Sequence, residues 1–118
     1  MNFEQLDSYI RTKQGVTFDY PFDEKVRVYR IADKMFALTS EERPVSVNLK
    51  CDPIYALELR SLYKGIIAGY HMNKNHWNTI ILDGSVPEDV LLIMIHSSYT
   101  LVVMGLRKSD REKLEPPV

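Results

Sequence analysis

Residues 69–79, GYHMNKNHWNT, bring together two histidines, three asparagines, a lysine and the only tryptophan of the chain. Four chemistries could use such residues. A metal site is the first. His71 and His76 stand five apart and share no helix face, and no cysteine or acid lies near them before Asp83. Tetrahedral metal centres need three or four such ligands, so this one would have to recruit them from far away. No metal and no cofactor is expected. Nucleophilic chemistry is the second. Cys51, between Lys50 and Asp52, stands before an expected helix start, where a thiol pKa can fall. The alternation of its neighbours, however, puts it on an apolar strand face with Leu49, as a buried inert thiol. There is no G-x-S-x-G elbow, P-loop or Rossmann glycine pattern. Acid–base chemistry is the third. Asp83, Glu88, Asp23-Glu24 and Glu41-Glu42 read as turn and cap residues. With no catalytic constellation the chain is not expected to be an enzyme; one built on His71 or His76 would need an acid partner supplied by the fold. Nucleic-acid binding is the fourth and fits best. Lysine and arginine pair phosphates, asparagine contacts base edges, and aromatic rings stack on unpaired bases. The plainer alternative is a loop with Trp77 and Met72 turned to the core and its Asn and Lys side chains in water.

Elements must position these residues. Phe3, Leu6, Tyr9 and Ile10 recur at helical spacing and predict a helix over about residues 2–13, stopped at Gly15. TFDYPFDEK reads as a turn-rich connector. KVRVYRI (25–31), MFALT (35–39) and VSVNLKC (45–51) read as strands joined by short turns, hence an antiparallel meander. In the last, Val45, Val47, Leu49 and Cys51 face one way and Ser46, Asn48 and Lys50 the other. Asp52 and Pro53 are a good N-cap and N1 pair for a helix ending near Lys64-Gly65. WNTIILDG reads as a strand. Ser85-Val86-Pro87-Glu88 has capping-box spacing and opens a helix with a stripe of Leu91, Met94, Ile95, Tyr99, Val102 and Leu106, with a break or recapping expected near Ser97-Ser98. The tail, KLEPPV, reads as a frayed end. This order predicts an α+β fold: one antiparallel sheet with helices on one face and a polar opposite face. Ser46, Asn48 and Lys50 would lie on that polar face, joined by Arg27 or Arg30 according to register.

Composition sets the outer bounds. With 118 residues, 45% hydrophobic and 26% charged, the chain fits one domain with its own core. A single cysteine excludes an intrachain disulfide. MNFEQLDSYI does not read as a signal peptide, and VLLIMIHSSYTLVVMGL falls short of the ~20 apolar residues of a membrane span. A cytoplasmic protein with no membrane partner is expected. The net charge of −1 is not the basic balance of many DNA-binding domains. Residues 59–82 nevertheless contain Arg60, Lys64 and Lys74 and no acid.

Several segments carry a family resemblance: VNLKCDP (47–53), Tyr63, GYHMNKNHW (69–77), LDG (82–84) and SYTLVVMGL (98–106). In this order and spacing the sequence resembles the MmcQ/YjbR family of small bacterial proteins, from the first helix to about Lys108. The resemblance implies a single α+β domain over residues 1–118. It further implies a CyaY-like (frataxin-like) fold, a concave double-wing surface labelled DNA-binding, and no attached enzymatic activity. Lys50 matches the lysine of the LKCDP motif. His71, Asn73, Lys74, His76 and Trp77 match YHMNK-x-HW, and Ser98 and Tyr99 match the SY pair.

Two functional readings stay open. In the first the protein binds DNA, in a regulatory role, through the polar sheet face and the YHMNK-x-HW loop. Arg27, Lys50 and Lys74 would take phosphates, while His71, Asn73, Asn75 and His76 would position or contact the nucleic acid. In the second it binds a protein or a small ligand and has no nucleic-acid role, with the broad apolar C-terminal helix open to a dimer contact. The oligomeric state is not legible in the sequence.

Overall fold

Asn2 caps the first helix, α1 (Phe3–Arg11). Its side chain accepts from the Gln5 amide while the Gln5 side chain accepts from the Asn2 amide, a reciprocal box that satisfies two otherwise orphaned donors. In the computed structural model, which describes residues 1–69 and 72–114, four strands follow: β1 (Val16–Asp23), β2 (Val26–Ile31), β3 (Lys34–Ser40) and β4 (Ser46–Lys50). Then come α2 (Pro53–Leu62), β5 (Ile66–Ala68), β6 (Trp77–Ile81), α3 (Glu88–Met104) and α4 (Lys108–Glu112). The prolines at 116 and 117, in the predicted frayed tail, lie outside the described residues.

All strand pairs are antiparallel, in the order β1-β2-β3-β4-β6-β5. The β2–β3–β4 meander is as predicted. The connector TFDYPFDEK is not: most of it forms the edge strand β1. Pro21 hid it, yet Pro21 sits where the β1–β2 register shifts between Asp19 and Asp23. An edge strand with such an irregularity tolerates a residue that cannot donate to the ladder. Strand β5 is three residues long, too short for its alternation to be read.

The helices pack on one face. Leu6 and Ile10 of α1, Ala56 and Leu59 of α2, and Leu91, Met94, Ile95, Tyr99, Val102 and Val103 of α3 share one buried cluster with Tyr29, Ile31, Ala37, Val47, Leu49, Ile66 and Ile80. Burial of large apolar side chains of this kind stabilises by about 1.5–3 kcal/mol each. Asp52 caps α2 as predicted, accepting from the Ile54 and Tyr55 amides. Two details of α3 differ. It runs unbroken through Ser97-Ser98, without the recapping expected of Ser97, and the Ser98 hydroxyl ties this turn to the sheet by donating to the Phe36 carbonyl at 2.5 Å and accepting from the Lys50 amide at 2.9 Å. Its N-cap is Pro87, without a side-chain cap. Ser85 instead closes a turn in which its amide donates to Asp83 and Gly84 takes a positive φ of 88°. Ile93, Leu101 and Met104 remain exposed on the outer side of α3. None of the helices among the described residues is long and apolar enough to cross a membrane.

Candidate functional site

Strand parity sorts the sheet into two faces. The register pairs Val26 with Ser40, Ser40 with Ser46, and Ser46 with Ile81. One step along, it pairs Val28 with Leu38, Leu38 with Asn48, Asn48 with Thr79, and Thr79 with Ile67. These two rows lie on the face away from the helices. The open face therefore carries the polar residues predicted from β4 but is mixed rather than polar. β2, β3 and β6 set Val26, Val28, Met35, Leu38, Trp77 and Ile81 beside them, and Val28, Leu38 and Trp77 form a second buried cluster with Val26, Met35 and Met72 packed against it. The run MFAL already contained the sign: apolar residues at both parities mean a strand buried on both faces.

A cavity of about 610 Å³ opens on this face. Val26, Leu38, Ile67, Met72 and Ile81 form apolar walls around Ser40, Ser46, Asn48 and Thr79, with Phe22 from β1 and Glu42-Arg43-Pro44 from the β3–β4 loop at its edge. Its hydroxyl and amide groups can donate as well as accept. The Thr79 hydroxyl donates to Asn48 Oδ1, and the Asn48 amide nitrogen donates no hydrogen bond among the described residues. Ser40 Oγ accepts from the Glu42 amide at 3.3 Å and donates no hydrogen bond among the described residues. Glu42 is held by Lys25 at 3.6 Å.

Lys50 pairs with Trp77 across β4 and β6, on the open face as predicted. The Cys51 amide donates to the His76 carbonyl at 2.7 Å, which fixes the end of β4 against the β5–β6 loop. Asn73, Lys74, Asn75 and His76 are exposed on that loop; His71 and Tyr70 lie outside the described residues. Asn73 is partly structural, since its Oδ1 accepts from the Asn75 amide at 3.0 Å, a local turn that asparagine favours. Trp77 is an anchor, buried on the open face.

Arg27 is not with them. Its parity turns it to the helix side, where Nη1 donates to Asp7 at 2.5 Å and Nε to the Tyr20 hydroxyl at 2.7 Å. Its guanidinium lies 4.4 Å from the Phe18 ring centroid. Asp7 also accepts from the Tyr29 hydroxyl at 2.7 Å. Burial raises the Asp7 pKa, but the donors Tyr29 and Arg27 outweigh it and the net shift is downward. Register places Arg30 on the open face instead, paired with Asp19 at 3.1 Å. Cys51 is buried, and burial together with the Asp52 charge pushes its thiol up to about 11, the opposite of an activated nucleophile.

Two residues that organise the loop escaped the sequence reading. Arg60, counted there only as a charge, donates from Nε to Asn78 Oδ1 at 2.6 Å and from Nη2 to the carbonyls of Lys74 and, at 3.3 Å, Trp77. Asn78 is fully buried and in turn donates to the Ala56 carbonyl at 3.3 Å. Gly69 starts the loop where a Cβ would stand 2.8 Å from the Trp77 Cβ, closer than side chains pack. The helical spacing of α2 could have placed Arg60 beside the buried Ala56 and Leu59; nothing local signals its partner.

Comparison with known proteins follows the same outline. A family model described as YjbR matches residues 11–101. The uncharacterized protein YbdF of Escherichia coli O157:H7 is 40% identical over 98 residues, 82% of this chain and 80% of that protein. The uncharacterized protein YjbR of Escherichia coli K12 is 31% identical over 115 residues, 97% of this chain and 98% of that one. Among solved structures, the Deinococcus radiodurans protein DR2400 superposes with a TM-score of 0.89 at 32% identity, covering 99% of this chain and 94% of its own.

Proposed function

This chain belongs to the YjbR family, and on that premise we propose that it is a non-catalytic binding module whose site is the open face of the sheet. One observation carries this reading. That face holds a cavity of about 610 Å³ with apolar walls and a small central group of serine, asparagine and threonine side chains. Ligand sites are commonly concave and mostly apolar, with few orienting polar groups. A sheet face meant only to be solvated would not gather Val26, Leu38, Ile67, Met72 and Ile81 around four polar side chains. The free, buried Cys51 suits a reducing cytosol.

The test uses a neutral apolar probe, N-phenyl-1-naphthylamine, whose fluorescence rises on entering an apolar site. The folded protein is expected to enhance it saturably. Ile67→Glu, a change at an edge-strand residue 46% exposed, is expected to weaken binding about tenfold with an unchanged circular dichroism spectrum. Absence of saturable enhancement, or equal binding by the folded variant, refutes the reading.

DNA binding is the second reading, favoured by a different observation. The β5–β6 loop exposes Asn73, Lys74, Asn75 and His76, and Lys50 lies across from Trp77 at its base. The double-wing label of the family would then apply to the rim of the open face rather than to its floor.

A further inference from the structure

Resting on the open-face reading, we infer that the occupant is an amphipathic carboxylic acid: an apolar body ending in one carboxylate. The register gives the reason. Ser40 and Ser46 are direct cross-strand partners, the last residue of β3 and the first of β4, so both hydroxyls stand at the end of the face where the β3–β4 loop crosses. That loop brings Arg43 to the cavity edge. Arg43 is exposed and has no ion pair among the described residues, whereas the one acid lining the cavity, Glu42, is engaged by Lys25.

The cavity thus gathers donors that have no acceptor among the described residues: the hydroxyls of Ser40 and Ser46, the Asn48 amide N–H groups and the Arg43 guanidinium. Donors converging without a free acid select an acceptor, and a guanidinium prefers a planar carboxylate, which it can hold through two parallel hydrogen bonds. The walls around these donors, Leu38, Met72, Ile67 and Phe22 among them, are apolar and offer an acid's alkyl or aryl body a dry surface. A neutral apolar ligand would leave the donors of Ser46 and Asn48 without acceptors, which costs affinity when water is displaced. A highly charged polyanion would find, among the described residues that line the cavity, one cation at the edge and an apolar floor.

Trp77, the only tryptophan, packs on Leu38 and Met72 and reports occupancy by its fluorescence. Laurate and its methyl ester are the probes, titrated against the whole protein. Laurate is expected to bind at least tenfold tighter than the ester. Arg43→Gln, at an exposed loop position, is expected to remove most of that difference while leaving the ester and the neutral naphthylamine probe unchanged. Equal binding of acid and ester, or full acid preference in Arg43→Gln, overturns the carboxylate assignment while the naphthylamine result still supports the open-face site. Failure of both laurate and naphthylamine to bind overturns the two together.

Discussion

Asp7 shows how one side chain can be committed by its surroundings. It is 8% exposed and accepts from Tyr29, Arg27 and Arg11. Because its folded pKa lies below the usual carboxylate value, it contributes stability in full above about pH 4, and that contribution is lost as pH falls through the folded value. Asp7→Asn is expected to cost about 2–4 kcal/mol at pH 7, as it leaves Arg27 without its counter-charge in a half-buried setting. The loss of stability between pH 5 and pH 2 should be shallower in the variant. Urea melts across that range decide it, and an unchanged acid slope would remove Asp7 as the source. The same cluster explains why Arg27 could not be placed from the sequence. In VRVYRI both parities carry large apolar residues, Val26 and Val28 on one, Tyr29 and Ile31 on the other. Alternation alone then does not say which parity meets the helices. Lys50 could be placed, because Val47, Leu49 and Cys51 leave its strand with one clearly apolar side.

Elements were legible where local signals agreed. α2 has its cap and its N1 proline, and β4 its clean alternation, so the extent of both was readable to within about two residues; the buried face of α2 was not, since Ala56 and Leu59 are buried and Leu62 is exposed. β1 and β5 were not, one because a proline interrupts an edge, the other because three residues carry too little pattern. The β5–β6 loop depends on contacts that local sequence does not encode. Arg60, from α2, clamps the carbonyls of Lys74 and Trp77 and the buried side chain of Asn78. Arg60→Ala is therefore expected to loosen this loop specifically. It leaves Asn78 Oδ1 without its donor, at a cost of about 1–3 kcal/mol, and frees the peptide bond after Lys74 for trypsin. Cleavage there should be on the order of tenfold faster than in the parent protein. Arg60→Lys should lie close to Arg60→Ala, since one ammonium cannot span three acceptors set for a planar fork. Limited proteolysis read by mass spectrometry distinguishes the outcomes: uniform acceleration at many sites would mean global destabilisation and not a clamp.

At the scale of the whole molecule the cations decide between partners. The chain carries a net charge of −1, and several arginines that a DNA surface would need are engaged internally: Arg27 by Asp7, Arg30 by Asp19, Arg60 by Asn78 and the loop carbonyls. On the open face and its two flanking loops this leaves Lys50, Lys74 and Arg43. Each phosphate neutralised on a duplex contributes about 0.9 to the slope of log affinity against log salt. Duplex binding through this face is then expected to show a slope of magnitude no greater than about 3, falling to about 1 or less in a Lys50→Ala/Lys74→Ala double variant. Occupation of the cavity by the neutral naphthylamine probe involves no counterion release and should be nearly flat over the same salt series. A steep duplex slope, of about 6 or more, would require cations from other surfaces and would move the DNA site away from the sheet face. A shallow slope reduced in this way by the two lysine changes would place a weak nucleic-acid contact on the rim, above a floor whose apolar walls and central donors suit a smaller occupant.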